Sequence, residues 1–249
     1  MITTGTAESV SAKEKLIVAL DVERADEARR LFHELRGAAG MFKVGSQLFP
    51  SAGPEFVREL VAAGARVFLD LKFHDIPATV AAAARRAVQL GVHLFNDHAS
   101  GGSEMMRRAA DATAEEAARL GVERPRLIAV TVLTSMDAAA LVETGVAAAS
   151  VEEHVRRLAR LADASGLDGV VASPHEIAPV RGAVARNGFL VVTPGVNPAG
   201  AAYDDQKRVM SPSAAIHAGA DFIVVGRAIL NAPDPVAAAR AVVEEMEKA

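Results

Sequence analysis

Cysteine is absent from this chain of 249 residues, and aromatic residues make up only 4% of it. Without cysteine, disulfides and thiolate metal sites are excluded, and a reducing compartment is compatible with the sequence. The chain also lacks an excess of positive charge, with 27 Lys and Arg against 31 Asp and Glu. This balance, without any basic run, gives no footprint for nucleic acid or a membrane surface. Any phosphate site must therefore be local.

The N-terminal residues lack the apolar segment of a signal peptide. We therefore expect residues 1–13 to form a flexible tail, residues 14–249 to form one domain, and the protein to be cytoplasmic.

Short apolar runs alternate with longer, alanine-rich stretches of helical period, which is typical of repeated β/α units. The runs predict eight strands: Leu16 to Asp21, Met41 to Val44, Arg66 to Leu71, His93 to Asp97, Leu127 to Val132, Gly169 to Ala172, Phe189 to Thr193 and Asp221 to Val225. The predicted helices are Ala25 to Leu35, Pro54 to Ala63, Ala78 to Leu90, Ser103 to Leu120, Val151 to Ala164, Pro174 to Ala185, Ser211 to Ala218 and Pro235 to Lys248. Eight units predict a single (β/α)8 TIM barrel of the α/β class. The alternative is an open doubly wound sheet, but no G-x-G-x-x-G follows the first strand.

The segment from Phe68 to Val80 places charged groups where a buried strand should be apolar. Side chains two apart on a strand share a face, so Asp70 and Lys72 should point the same way. Burying an acid and a base is costly in free energy, so such residues are expected to be paired or to have a role in function. Asp75 follows in a loop, where its carboxylate can approach the same ammonium. The segment predicts an acid/base network, with an inward salt bridge in a barrel layer as the alternative.

Other polar residues also stand at the ends of predicted strands, which in a β/α barrel form the active-site face. They are Asp21, Lys43, Asp97, Thr131, Thr134, Ser173, Thr193, Gly226 and Arg227. A polar residue at the start of a solvent-exposed loop would explain any one of these positions, but it explains less easily why so many coincide. Lys43 lies mid-strand, where the alternative is a side chain that extends from the barrel end into solvent. The histidines lack metal-ligand spacing on one element, so we assign none of them chemistry and expect no metal site.

Two loops predict a phosphate site, because the loops after the last two strands of a barrel commonly bind phosphate. They contain Thr193 to Val196 and Gly226-Arg227, and Gln206 to Arg208 adds cationic and amide groups in the long segment between. The turn His98 to Gly102 could also hold an anion, although a glycine turn before the next helix accounts for it.

The chain resembles the orotidine 5'-monophosphate decarboxylase family, in the form found in bacteria, over almost its full length. The resemblance rests on these motifs: Val18 to Asp21, Lys43 to Gly45, Leu69 to Pro77, His98 to Gly102, Val132 to Asp137, Thr193 to Gly195, Asp205 to Val209 and Val224 to Arg227. Asp-x-Lys alone also occurs in sugar-phosphate enzymes of the same barrel group, and the continuation Phe-His-Asp-Ile-Pro separates the two.

The resemblance implies a role for each matching residue. Asp21 and Lys43 would hold the ribose, and Thr134 would lie near the base. Asp70, Lys72 and Asp75 would form a charged array with Lys43, and Asp75, Ile76 and Thr79 would act across a homodimer interface. Gln206, Gly226 and Arg227 would bind the phosphate. Asn197, also expected at the substrate, stands where bacterial members usually have arginine, and Thr79 follows Ala78 where asparagine is frequent.

The implied reaction converts orotidine 5'-monophosphate to uridine 5'-monophosphate without a cofactor. Lys72 would stabilise the C6 carbanion and protonate it, and the segment from Thr193 to Met210 would close as a lid. Two rivals remain: a magnesium-dependent sugar-phosphate enzyme with Asp70 as metal ligand, and a phosphate-binding barrel without turnover.

Overall fold

The computed structural model describes residues 11–147, 150–198 and 210–249. Eight parallel strands pair in chain order, and the first also pairs with the last, so the sheet closes into a barrel. The strands are β1 Leu16–Ala19, β2 Met41–Gly45, β3 Val67–Phe73, β4 Leu94–His98, β5 Arg126–Val130, β6 Gly169–Val171, β7 Leu190–Pro194 and β8 Phe222–Val225. The predicted (β/α)8 barrel is confirmed.

Alternation along the strands divides the core into two parts. On β1, Ile17 and Ala19 point into the barrel, whereas Leu16 and Val18 face the helices. The interior cluster comprises Ile17, Ala19, Met41, Phe68, Leu94, Ile128, Val192 and Val224. The larger cluster lies between the strands and the surrounding helices. The barrel is therefore a packed core. Lys43 on β2 and Asp70 on β3 line the cavity at its C-terminal mouth.

Within the described residues the α-helices are α1 Ala12–Lys15, α2 Ala25–Leu35, α3 Phe49–Ala62, α4 Pro77–Gln89, α5 Gly102–Leu120, α6 Ala138–Glu143, α7 Val151–Ala164, α8 Ile177–Ala183, α9 Pro212–His217, α10 Arg227–Leu230 and α11 Pro235–Met246. Two short 3₁₀ turns, Ala99–Gly101 and Pro174–Glu176, complete the set. The bounds predicted for α2 and α7 are confirmed. No helix in the described ranges is long and apolar enough to cross a membrane.

Several predicted bounds are wrong for local reasons. Helix α3 begins five residues early, at Phe49, and contains Gly53 with φ 71°, so Pro54 restarts the helix after a kink. The helix predicted from Pro174 begins as a 3₁₀ turn and ends at Ala183. The short helices α1, α6 and α10 were not predicted, because four to six residues carry too little periodicity.

The predicted tail also ends earlier than expected. Ser11 caps α1 through a reciprocal bond with Glu14, so residues 11–13 belong to an ordered turn. Residues 1–10 lie outside the described residues.

Candidate active site

A cavity of about 680 Å³ opens at the C-terminal mouth of the barrel. Such a volume is typical of sites for small molecules and cofactors. Eight of the predicted site residues line it: Asp21, Lys43, Asp70, Lys72, Thr134, Asn197, Gly226 and Arg227. They come from β2, β3 and the segments after β1, β5, β7 and β8. The fold gathers them because all parallel strands end at one mouth.

Lys43 lies inside the barrel, with only 7% of its surface exposed. Its ammonium donates to Oδ1 of Asp21 at 2.8 Å and lies 3.3 Å from Oδ2 of Asp70. Burial lowers the pKa of Lys43, but the charges of Asp70 and Asp21 outweigh this effect and the net pKa is raised. The alternative that Lys43 extends into solvent is wrong, because two carboxylates hold it inside as a cation.

Asp70 joins the two lysines into one network. Its Oδ1 accepts from the Lys72 ammonium at 2.7 Å, and only 8% of its surface is exposed. Burial raises the pKa of Asp70, but Lys43 and Lys72 outweigh it and hold the net pKa below the ordinary value. The Lys72 side chain remains 34% exposed and lines the cavity. The pair is therefore a salt bridge that presents one ammonium to the cavity.

The backbone at Lys72 departs from a regular strand. Lys72 has φ 53°, the one positive value at a non-glycine residue in the described part of the chain. The pairing of β3 with β4 shifts register between Leu69 and Phe73, as in a β-bulge. Asn96, on β4, accepts from the Lys72 N–H at 2.8 Å and donates to Oδ1 of Asp70 at 2.7 Å.

Asn96 was not among the predicted site residues. The sequence pattern could have indicated it, because Asn96 lies two residues after the interior residue Leu94 and therefore shares its face of β4. Ser46 and Gln47, which follow β2, also line the cavity without any motif to indicate them.

Asp75 does not approach the Lys72 ammonium of its own chain. It is exposed, and its Oδ1 accepts from the Ile76 N–H at 2.6 Å. Among the ion pairs within 4.0 Å in the described ranges, Lys72 pairs with Asp70 and not with Asp75. The approach of Asp75 to the Lys72 ammonium, which the sequence allows, is therefore not made within one chain. Ile76 is 67% exposed and Thr79 is exposed, so these residues form a surface beside the mouth.

Two histidines lie side by side near this segment, with their ring planes tilted by 31°. The rings of His74 and His98 lie 5.4 Å apart between centroids. The pKa of His98 is lowered by its burial and by the positive charges of His74 and Lys72. Across the described residues, no group of three His, Cys, Asp or Glu side chains could hold a metal ion.

The predicted phosphate side of the mouth is only partly described. Gly226 follows β8 and precedes α10, Arg227 begins α10, and both residues line the cavity. Opposite them, the buried Asn197 donates its N–H to the Met210 carbonyl at 3.1 Å, and the Met210 N–H donates to the Gly195 carbonyl. Gln206, Lys207 and Arg208 lie outside the described residues. The two ends of the predicted lid are thus tied together at the cavity edge.

The fold and the site define a class of protein: a (β/α)8 barrel whose C-terminal mouth holds two lysines and two aspartates around a cavity of about 680 Å³. A family model described as orotidine 5'-phosphate decarboxylase / HUMPS family matches residues 14–242. The chain belongs to this family.

Similar proteins share most of the chain. The orotidine 5'-phosphate decarboxylase of Moorella thermoacetica is 54% identical over 237 residues, which are 95% of this chain and 93% of the relative. That of Syntrophotalea carbinolica is 53% identical, over 96% of this chain and 98% of the relative. The crystal structure of orotidine 5'-phosphate decarboxylase from Lactobacillus acidophilus superimposes with a TM-score of 0.82 at 36% identity, covering 93% of this chain and 98% of that chain.

Proposed function

We propose that this protein decarboxylates orotidine 5'-monophosphate to uridine 5'-monophosphate in pyrimidine nucleotide biosynthesis, in the cytoplasm and without a cofactor. The observation that carries the proposal is the network of Asp21, Lys43, Asp70 and Lys72 at the barrel mouth. Family membership over residues 14–242 connects this network with decarboxylation of a nucleotide.

The cavity has a place for each part of the nucleotide. Asp21 and Lys43 bind the ribose hydroxyls, since both line the cavity and their charged groups lie 2.8 Å apart. Gly226 and Arg227 bind the phosphate together with Gln206, because a backbone N–H and a guanidinium are strong phosphate donors. Thr134 and Asn197 line the remaining wall and contact the base or the closed loop.

The reaction breaks the bond between C6 and the carboxylate, and the electron pair remains on C6 while CO2 leaves. The Lys72 ammonium stabilises the developing negative charge and then transfers a proton to C6, which yields the product and a neutral amine. A solvent proton restores the ammonium. Asp70 lies beside the departing carboxylate and fixes the position of Lys72 through the 2.7 Å contact.

Binding energy from the remote phosphate supports this step. Contacts with a part of the substrate that does not react can drive closure of the segment between Thr193 and Met210 and exclude water. The tie between Asn197 and Met210 brings the ends of that segment to the cavity edge, as such closure requires.

The active protein is a homodimer in which each site takes Asp75, Ile76 and Thr79 from the other subunit. The exposure of Asp75 and Ile76 beside the mouth supports this arrangement, because neither residue lines the cavity of its own chain. A two-fold axis would place the same surface of one subunit against the other and bring the second carboxylate to Lys72.

The experiment that tests the function is the loss of ultraviolet absorbance of orotidine 5'-monophosphate, with and without EDTA. We expect decarboxylation at an equal rate in both conditions, because the lysine ammoniums supply the charge stabilisation. Loss of activity with EDTA and its return with magnesium would favour the sugar-phosphate rival. Binding without turnover would favour the phosphate-binding barrel.

A further inference from the structure

Asn96, on β4, contacts both the backbone of Lys72 and the carboxylate of Asp70 with a single side chain. It is fully buried. Its amide oxygen accepts from the Lys72 N–H at 2.8 Å, and its amide nitrogen donates to Oδ1 of Asp70 at 2.7 Å. An oxygen facing an N–H and a nitrogen facing a carboxylate leave one favourable orientation of the amide.

The first contact concerns the Lys72 backbone. At a bulge the extra residue loses its ladder partner, and a lysine at positive φ is strained unless its surroundings hold it there. The Asn96 oxygen replaces the missing acceptor on the neighbouring strand. It thereby stabilises the conformation that directs the Lys72 side chain back toward Asp70.

The second contact concerns the rotation of Asp70. Oδ1 receives both the Lys72 ammonium and the Asn96 amide, while Oδ2 faces Lys43. Without the amide, the carboxylate would keep its two ammonium partners, but its plane would no longer be set by a neutral donor from a rigid strand. The distance between the Lys72 ammonium and the substrate C6 would then vary.

We propose that Asn96 is a positioning residue for the decarboxylation: it holds the Lys72 backbone and the Asp70 carboxylate in the geometry that aims the ammonium into the cavity. This inference rests on the proposed function. It assigns to Asn96 no contact with the substrate.

The test compares Asn96→Ala and Asn96→Asp with the wild-type protein. For Asn96→Ala we expect kcat to fall about 10- to 100-fold, since misplacement of a reacting group by about 1 Å has effects of that size. KM should change less than about threefold, because the proposed ribose and phosphate groups are on other strands. A residue that acts only on fold stability would lower the melting temperature without this division between kcat and KM.

The aspartate variant supplies a pH signature. A neutral carboxylic acid can still accept from the Lys72 N–H and donate to Asp70, whereas its ionised form places a second negative charge against Asp70. The ratio of kcat for Asn96→Asp to that of the wild type should therefore rise as the pH is lowered, and the ratio for Asn96→Ala should stay flat. Wild-type kcat in Asn96→Ala, or a flat ratio in Asn96→Asp, would overturn the inference. If Asn96→Ala does not fold, the near-isosteric Asn96→Asp decides.

The matched control is Thr113→Val, at a fully buried polar residue of α5 that does not line the cavity. Its kcat and KM should match those of the wild type. A crystal structure of Asn96→Ala, or of Asn96→Asp above neutral pH, separates this inference from the proposed function. We expect Lys72 to leave φ near 53° or its ammonium to move beyond 4 Å from Asp70. An unchanged array would reject the role of Asn96 even if the substrate were a different one.

Discussion

The ammonium of Lys72 lies 2.7 Å from Oδ1 of Asp70. Strand β3 carries both residues, and its pairing with β4 shifts register between Leu69 and Phe73. A regular strand would place these side chains on one face but would direct both along parallel lines. The positive φ of Lys72 turns its side chain toward the carboxylate and leaves the ammonium in the cavity wall.

Removal of the Lys72 ammonium should abolish most of the turnover without loss of the fold. Lys72→Ala removes both the cation that stabilises the carbanion and the acid that protonates it, and each effect is worth roughly 10²-fold or more. We expect kcat to fall by several orders of magnitude and the circular dichroism spectrum to be unchanged. Lys248→Ala, an exposed lysine near the C-terminus, is the control. A variant that keeps more than about a tenth of wild-type turnover would make Lys72 structural.

Loss of the Arg227 guanidinium should lower kcat/KM for the nucleotide far more than for the nucleoside. Arg227→Ala removes a charge-assisted contact with the remote phosphate, so kcat/KM for orotidine 5'-monophosphate should fall strongly. Turnover of unphosphorylated orotidine should hardly change, and the ratio between the two substrates measures the effect. Arg240→Ala, on the exposed face of α11, serves as control. Equal losses on both substrates would exclude a phosphate role for Arg227.

Restoring arginine at Asn197 tests the departure from the usual bacterial residue. Asn197 is buried at the cavity edge and tied to Met210, so the loop already has a defined connection there. We expect Asn197→Arg to be neutral or to lower KM modestly, measured by steady-state kinetics. A collapse of activity would show that this loop is built differently from that of the relatives with arginine.

Mixing two inactive variants should restore activity if Asp75 acts across the dimer. Lys72→Ala and Asp75→Asn homodimers should both be nearly inactive, yet a mixed dimer has one site with both lesions and one with neither. Random re-pairing makes half of the dimers mixed, so about a quarter of all sites should recover. Each variant dissociated and reassembled alone is the control. No recovery, with mixed dimers verified by native mass spectrometry, would place Asp75 outside the partner's site.

The carboxylate of Asp97 should make stability depend on pH. Neither of its oxygens has a hydrogen-bond partner among the other described residues, and burial raises its pKa to about 8. In the unfolded chain this pKa is about 4. The folded state therefore holds a proton that the unfolded state has lost, and the free energy of unfolding should fall as pH rises from about 4 to about 8.

Asp97→Asn removes this titration and leaves every other group in place. The difference in free energy of unfolding, variant minus wild type, should grow in favour of the variant by up to about 1.4 kcal/mol per pH unit across this range. Urea denaturation at pH 5, 6, 7 and 8 measures it. Parallel pH dependences for the two proteins would show that Asp97 does not titrate between the folded and unfolded states.

Local pattern was sufficient for the barrel and for the residues at strand ends. Eight apolar runs separated by helical periods required eight β/α units, and parallel strands place their C-terminal ends at one mouth wherever the chain closes. Lys43 and Asp70 could therefore be assigned to one site from their positions on neighbouring strands. Helices α2 and α7 could be bounded because their apolar stripes are long and regular.

The contacts between strands and the side-chain directions set by the backbone could be known only from the tertiary structure. The spacing of Asp70, Lys72 and Asp75 predicts three charges close together, but the positive φ of Lys72 and the exposed loop separate the third from the other two within one chain. Asn96 bonds both Asp70 and Lys72 across 24 to 26 residues, because the β3–β4 register places it opposite the bulge. Residue type and the local hydrophobic period determined which groups reach the mouth, since strand formation and the face on which a side chain lies depend on neighbours in sequence. Register, bulges and burial decided which atoms meet, since hydrogen-bond geometry between distant segments is not encoded in any local pattern.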